Sequence, residues 1–337
     1  MSEKIFGIDL GTSNFKLYQK GKGVVLHQKN IIAIKEKKTT VAYGDEAYAM
    51  YERTPDTIEV CFPMLHGVIA HFQHMQTLLQ QFMNDPSLKI GSMGKRDFYI
   101  TVPNDITEVE KRAFFDLVAG AGIRAKQIFM VEKPIADALG ADIPVEEAKG
   151  IMIVNIGGDT TEISVLSLGG IVLSKLLHVG GNQLDDNICS QVKKQYNLII
   201  GHKTANQLKT MLARAIKEEE NPTTMVLGRD IITGLPIKRE IDCHMIYHSI
   251  EEYLMAIIDA TKMILEHTPP ELAADIIDSG IFITGGSSHI KSMDTLFSKH
   301  LDLKVNLVEN PEESVIRGLG KIMDTKEYHS LATVLKL

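Results

Sequence analysis

The chain opens with short apolar runs at Ile5–Asp9, Phe15–Tyr18, Val24–His27 and Ile31–Ile34, separated by glycine or charged residues. Runs of four or five residues with this punctuation have the length of strands, and they predict an antiparallel start to a mixed sheet. The apolar spacing then changes. From about Met64 to Phe82 it predicts a helix closed near Asn84-Asp85-Pro86, and Phe98–Val102 reads as the next strand. Thr107 and Glu110 stand three apart as in a capping box. Val109, Ala113 and Leu117 give the following helix an apolar stripe that stops at Gly120-Ala121-Gly122. A strand at Gln127–Val131 leads to Pro134 at the start of a helix over Ile135–Ala141.

The same order of elements then restarts. Ile151–Val154, Thr161–Ser167 and Gly170–Leu176 repeat the opening strands, again with glycine turns. From about Gly181 to His244 the pattern is mostly helical, with Leu208, Leu212, Ala215 and Ile216 on one face of a helix Thr204–Glu219 and Glu218-Glu219-Glu220 as solvated surface. A long helix from about Met245 to His267 ends at Pro269-Pro270. Ile281–Thr284 is a strand running into Gly285-Gly286-Ser287-Ser288, and Leu331–Leu337 reads as a helix on its own domain. Duplication of a strand-hairpin module flanked by helices predicts an α/β fold of two lobes, each a mixed-sheet domain with a smaller inserted subdomain. The boundaries follow the repeat: residues 1–142 plus 318–337 with an insertion at about 33–66, then 143–317 with an insertion at about 181–244.

Composition adds exclusions. At 337 residues, 44% of them hydrophobic and 23% charged, the chain has the make-up of a soluble globular protein with more than one core. Its longest apolar runs are strand-sized, too short to span a bilayer. A net charge of −7 argues against nucleic acid as a partner. The first strand begins within a few residues of Met1, which leaves no room for a signal peptide and predicts a cytoplasmic protein. Cys61, Cys189 and Cys243 lack the spacing of a zinc site or redox pair and read as reduced thiols.

Candidate chemistry lies in the glycine turns. Asp9-Leu10-Gly11-Thr12-Ser13-Asn14 and Asn155-Ile156-Gly157-Gly158-Asp159-Thr160-Thr161 each follow an apolar strand and are rich in small residues, so each offers backbone N–H groups to a phosphate. Together with Asp105–Arg112 (DITEVEKR), Glu132–Gly140, Tyr196–Gly201 (YNLIIG) and Thr268–Gly286 (TPPELAADIIDSGIFITGG), these stretches resemble the actin, sugar-kinase and heat-shock-chaperone superfamily, and within it the MreB-type bacterial actin homologues. The resemblance runs from about residue 5 to 323.

That resemblance implies an actin-like fold, an ATP–Mg²⁺ site between the lobes and polar filaments on the inner face of the cell membrane that organise cell-wall synthesis. It places Thr12, Ser13 and Asn14 on the first phosphate loop, Gly157, Gly158 and Asp159 on the second, and Asn206, Gln207, Leu208 and Lys209 beside the ribose and base. Gly285, Gly286, Ser287 and Ser288 fall at the adenosine, and Asp9 and Asn155 where hydrated Mg²⁺ is held through water. The chain departs from the family at the same places. Lys133, next to Glu132, stands where a glutamate positions the attacking water; Asn155 replaces an aspartate, Asp159 a glycine and Met211 a glutamate. These changes imply weak or absent hydrolysis. The opposite charges gained at Lys133 and Asp159 suggest an ion pair taking the place of the γ-phosphate.

Membrane contact is expected from the loop Leu88–Arg96, whose Leu88, Ile90 and Met93 sit among three basic residues. Self-association, paralogues of the same type and the cell-wall machinery are the expected partners. Two other readings stay open: a non-polymerising pseudo-nucleotidase that regulates an active paralogue, and an ATP-dependent phosphotransferase or chaperone of the same superfamily.

Overall fold

The computed structural model describes residues 4–88 and 94–335. The chain divides into two compact units, Met1–Lys149 with Leu166–Ser174 and Glu312–Leu337, and Gly150–Val165 with Lys175–Pro311.

The first unit is built on a six-stranded sheet in the order Ala332–Leu335, Ala125–Glu132, Arg96–Val102, Ile5–Leu10, Asn14–Gln19, Gly23–Lys29. Ile5–Leu10, Asn14–Gln19 and Gly23–Lys29 pair antiparallel, as their spacing predicts. Ile5–Leu10, Arg96–Val102 and Ala125–Glu132 run parallel, so their C-terminal ends share one edge of the sheet. Core side chains come from alternate strand positions and from one face of the helix Phe72–Met83, where Met75, Leu78, Leu79 and Phe82 recur at helical spacing. Phe15 stacks on Phe82 with ring centroids 4.5 Å apart.

The helix Glu108–Gly120 starts on the expected capping box. Thr107 Oγ1 accepts from the Glu110 N–H at 3.2 Å, and Glu110 Oε2 accepts from the Thr107 N–H at 2.8 Å. Thr107→Ala is expected to lower stability by about 1 kcal/mol, read as a shifted midpoint in denaturant melts with an unchanged slope. A smaller sheet, Thr39–Tyr43, Ile32–Lys35 and Ile58–Cys61, carries the helix Gly44–Met50 and has its own apolar cluster around Ile31, Ala33, Ala42 and Ala47.

Ile151–Ile156, Ile281–Thr284 and Val305–Leu307 of the second unit pair in parallel, within a five-stranded sheet whose other strands are Thr161–Ser167 and Gly170–Leu177. A three-stranded sheet of Leu198–Ile199, Thr223–Asp230 and Pro236–Asp242 accompanies the helices Gly181–Tyr196 and His202–Leu212. The 25-residue helix Cys243–His267 is capped by Asp242, whose carboxylate accepts from the Met245 N–H at 2.9 Å. No helix among the described residues is long and apolar enough to cross a membrane.

Five expectations are corrected. Met64–Ile69 is a hairpin, not the start of a helix, because His66 and Gly67 both take positive φ, 52° and 81°, as a two-residue turn between twisted strands requires. The helix expected over Thr204–Glu219 ends at Leu212, and Ala215 bonds to the Lys291 carbonyl instead. Glu218 is not simply solvated: it pairs with Arg214 at 3.3 Å and accepts from Ser292 at 2.9 Å. The segment after it is a strand pair, and Ala332–Leu335 is an edge strand antiparallel to Ala125–Glu132 rather than a helix. Both regions carry β-branched residues, which suit a pleated surface.

Candidate functional site

In the first unit three strand ends assemble one cluster. Ile8 pairs with Ile100 and Val131 with Thr101, so Asp9, Thr101 and the residue after Glu132 arrive at the same edge. Lys16 returns on the antiparallel strand opposite Asp9 and donates to Asp9 Oδ2 at 3.0 Å, while Thr101 Oγ1 donates to Oδ1 at 3.1 Å. Asp9 is 3% exposed. Burial alone would push its carboxyl up, but the charges of Lys16 and Lys133, with the bonds from Lys16 and Thr101, outweigh it and hold the group below the ordinary carboxylate value. The turn that follows is fixed by the Gly11 N–H on the Asn14 carbonyl at 3.0 Å. Asn30 pins it as well, its Nδ2 donating to the Gly11 carbonyl at 2.8 Å and its N–H to the Ser13 carbonyl at 3.0 Å.

Glu132 and Lys133 go separate ways. Glu132 lines a cavity of about 370 Å³ with Val102, Met130, Thr333, Glu108, Lys111 and Arg112. Lys133 begins the helix Lys133–Gly140, which has no acidic residue in its first turn, and its charge acts on Asp9.

In the second unit Asn155 pairs with Thr284 at the ends of parallel strands, so the turns at Gly157 and Gly285 emerge side by side. Gly285 has φ +82°, and a Cβ there would overlap the Ile156 carbonyl. The Gly157 N–H reaches the Thr160 carbonyl at 2.8 Å. The start of the helix Gly181–Tyr196 is laced to the same turn: Gly181 N–H to Gly157 O at 3.0 Å and Asn182 N–H to Gly158 O at 2.6 Å. A Cβ on Gly180 would stand 2.7 Å from the Gly158 carbonyl carbon, so only glycine permits this approach. Ser287 Oγ donates to Gly157 O at 2.8 Å, and Ser288 Oγ to Gly285 O at 2.7 Å. The three glycine segments 157–160, 180–181 and 285–288 therefore form one connected, hydrogen-bonded backbone surface.

Asp159 is buried and accepts from Asn182 Nδ2 at 2.6 Å. Lys209 Nζ donates to Asp185 Oδ2 at 2.8 Å and to the Gly181 carbonyl at 2.6 Å, and Asn206 Nδ2 donates to Asp185 at 3.1 Å. Burial pushes the Asp185 carboxyl up against the pull of Lys209, and burial pushes the Lys209 ammonium down. Of the residues expected beside a ribose, Gln207 is exposed while Leu208 faces the core with Ala205 and Leu212. Sequence reasoning missed Asn30, Thr101, Asn182 and Asp185.

Neither unit's own donors suit a hydrated divalent cation. Asp9 is buried with both oxygens bonded and its charge shared by two lysines, and Asn155 is neutral and buried. No group of three His, Cys, Asp or Glu side chains among the described residues could hold a metal ion. The membrane expectation for Leu88 is also corrected: the side chain is 7% exposed and packs into the first unit's core. Ile90 and Met93 lie outside the described residues.

Residues 3–330 match the MreB/Mbl protein family. The cell shape-determining protein Mbl of Bacillus subtilis is 35% identical over 328 residues, covering 97% of this chain and 98% of Mbl. MreB of Escherichia coli is 36% identical over 327 residues, covering 96% and 94%. Among solved structures, MreB5 of Spiroplasma citri bound to AMPPNP superposes with a TM-score of 0.91 at 30% identity, covering 98% of each chain. The MamK double helical filament superposes with a TM-score of 0.80 at 20% identity, over 96% of this chain and 99% of MamK, a likeness of fold. The fold is thus the actin-like one expected from the glycine turns, and the chain belongs to the MreB/Mbl family.

Proposed function

We propose that this chain is a cell-shape-determining cytoskeletal protein that binds adenine nucleotide and assembles, alone or with paralogues, into actin-like filaments that organise cell-wall synthesis, with nucleotide hydrolysis weak or absent. The backbone surface formed by Gly157–Thr160, Gly180-Gly181 and Gly285–Ser288 carries the nucleotide reading, since two of its approaches tolerate no side chain. The MreB5 structures with AMPPNP and with ADP support it.

The weak-hydrolysis reading rests on Lys133. At Lys133 the chain lacks the carboxylate that would take a proton from an attacking water, and Glu132 lines a different cavity. Cytoplasmic location with peripheral membrane contact through Ile90 and Met93 is part of the same proposal.

Sedimentation and phosphate release test it together. The chain is expected to pellet as filaments, while phosphate release stays at least about a hundredfold below that of a relative with glutamate at the Lys133 position. Absence of polymer under all nucleotide conditions would refute assembly by the chain alone. If polymer of an active paralogue then shortened on adding the chain, the pseudo-nucleotidase regulator would be the correct reading, which the three departures Lys133, Asn155 and Asp159 already favour as an alternative.

A further inference from the structure

The cavity lined by Glu132 lies wholly within the first unit, and strand register accounts for its floor. Glu132 pairs with Val102 and Met130 with Thr333, and Met130 and Glu132 stand two apart on one strand, so all four side chains share a face of the sheet. The wall is the start of the helix Glu108–Gly120, where Glu108, Lys111 and Arg112 are spaced to face the same way. Val102 and Met130 are 1% and 3% exposed, and Glu132 and Lys111 are half-buried.

The charges around this cavity do not satisfy one another. Arg112 is turned along its own helix: Nε donates to Asp116 Oδ1 at 2.9 Å, and the guanidinium carbon lies 4.6 Å from the centroid of the Phe115 ring. Glu108, four residues before Arg112, is therefore left without it. Among the described residues the side chains of Glu108, Lys111 and Glu132 have no hydrogen-bond or ion-pair partner. Carboxylates and cations thus surround an apolar floor in equal number, in a cavity of about 370 Å³, a volume that suits a small ligand.

We propose that this cavity binds a small zwitterion of dipeptide size, its ammonium on Glu132, its carboxylate on Lys111 and its apolar body on Val102 and Met130. A wholly apolar ligand would strip water from charged groups and return nothing. An anion would meet Glu132 and a cation Lys111, each at close range and partly out of water. A ligand with both charges and a short apolar stem offends neither. The site uses no residue of the second unit and no part of the glycine turns, so it stands or falls apart from the nucleotide reading.

The test is a ligand-observed NMR titration of the full-length chain with glycyl-leucine, N-acetyl-glycyl-leucine and glycyl-leucinamide. Wild type is expected to bind glycyl-leucine saturably with Kd below about 1 mM, and each capped form at least about tenfold more weakly. Glu132→Gln and Lys111→Met, shown to be folded by thermal melts, should each weaken glycyl-leucine by about tenfold or more. Acetylation should then cost less than about threefold in Glu132→Gln, because the partner of the ammonium is already gone. Absence of saturable binding to wild type, capped peptides that bind as well as the free one, or an affinity indifferent to both substitutions overturns the inference. If either variant fails to fold, the two capped peptides on wild type decide it.

Discussion

Gly318→Ala is expected to destabilise the first unit by about 3 kcal/mol and to lower its melting temperature on the order of 10 °C. The helices Lys133–Gly140 and Ser314–Asp324 cross backbone to backbone: a Cβ on Gly318 would overlap the Ala136 carbonyl, and one on Gly140 would overlap the Ser314 carbonyl. Neither neighbour can rotate away, because both are main chain. The added methyl must push the helices apart, stretching the buried bond from Ser314 Oγ to Asp137 Oδ1. Gly140→Ala should cost a similar amount. Once the helices have separated for one methyl they accommodate the other, so the double variant should lose clearly less than the sum. Denaturant melts of the two singles and the double measure this, and strict additivity would show that the crossing yields locally instead.

Lys209→Met is expected to cost about 3–5 kcal/mol in the second unit at neutral pH, because it removes one partner of a buried pair and leaves the other charged. The Lys209 and Asp185 side chains are 10% and 6% exposed, and Asp185 Oδ1 already has no partner. The pH dependence has a definite sign. Burial places the folded carboxyl of Asp185 above its unfolded value, so its contribution to stability is fullest below the unfolded pKa and is lost as pH rises through the folded one. Without Lys209 the folded value rises further. The deficit of the variant should therefore shrink in acid and grow toward neutrality, and melts of both proteins across that range would show it. Asp185→Asn added to Lys209→Met should recover most of the loss, since no buried charge then remains.

Local signals were legible in the sequence, and long-range ones were not. Thr107 and Glu110 cap a helix through contacts three residues apart, and the glycine turns at 11, 157 and 285 follow mainly apolar strands. The hairpin at Met64–Ile69 carried its own turn signal, His66-Gly67, which a helical period counted across it obscured. Thr223–Asp230 was hidden differently: Met225 and Leu227 point outward, so the strand lacks the apolar-in alternation that marks a half-buried one. The pinning of the first turn by Asn30 spans 19 residues, and the Asp185–Lys209 pair spans 24. Partners at such separations are chosen by the fold, and an asparagine or aspartate in a helix or loop gives no hint of them.

The order in which the chain is made bears on how it folds. The helix Ser314–Asp324 closes against Lys133–Gly140 and the strand Ala332–Leu335 covers the free edge of Ala125–Glu132, so the first unit lacks these pieces until the last part of the chain has been synthesised. The second unit, by contrast, is complete at Pro311. On the ribosome, where domains ordinarily fold in the order they emerge, this protein reverses the sequence: the unit whose chain appears first is the last able to close its core, and until then its exposed strand edge depends on dilution or a chaperone to remain unpaired.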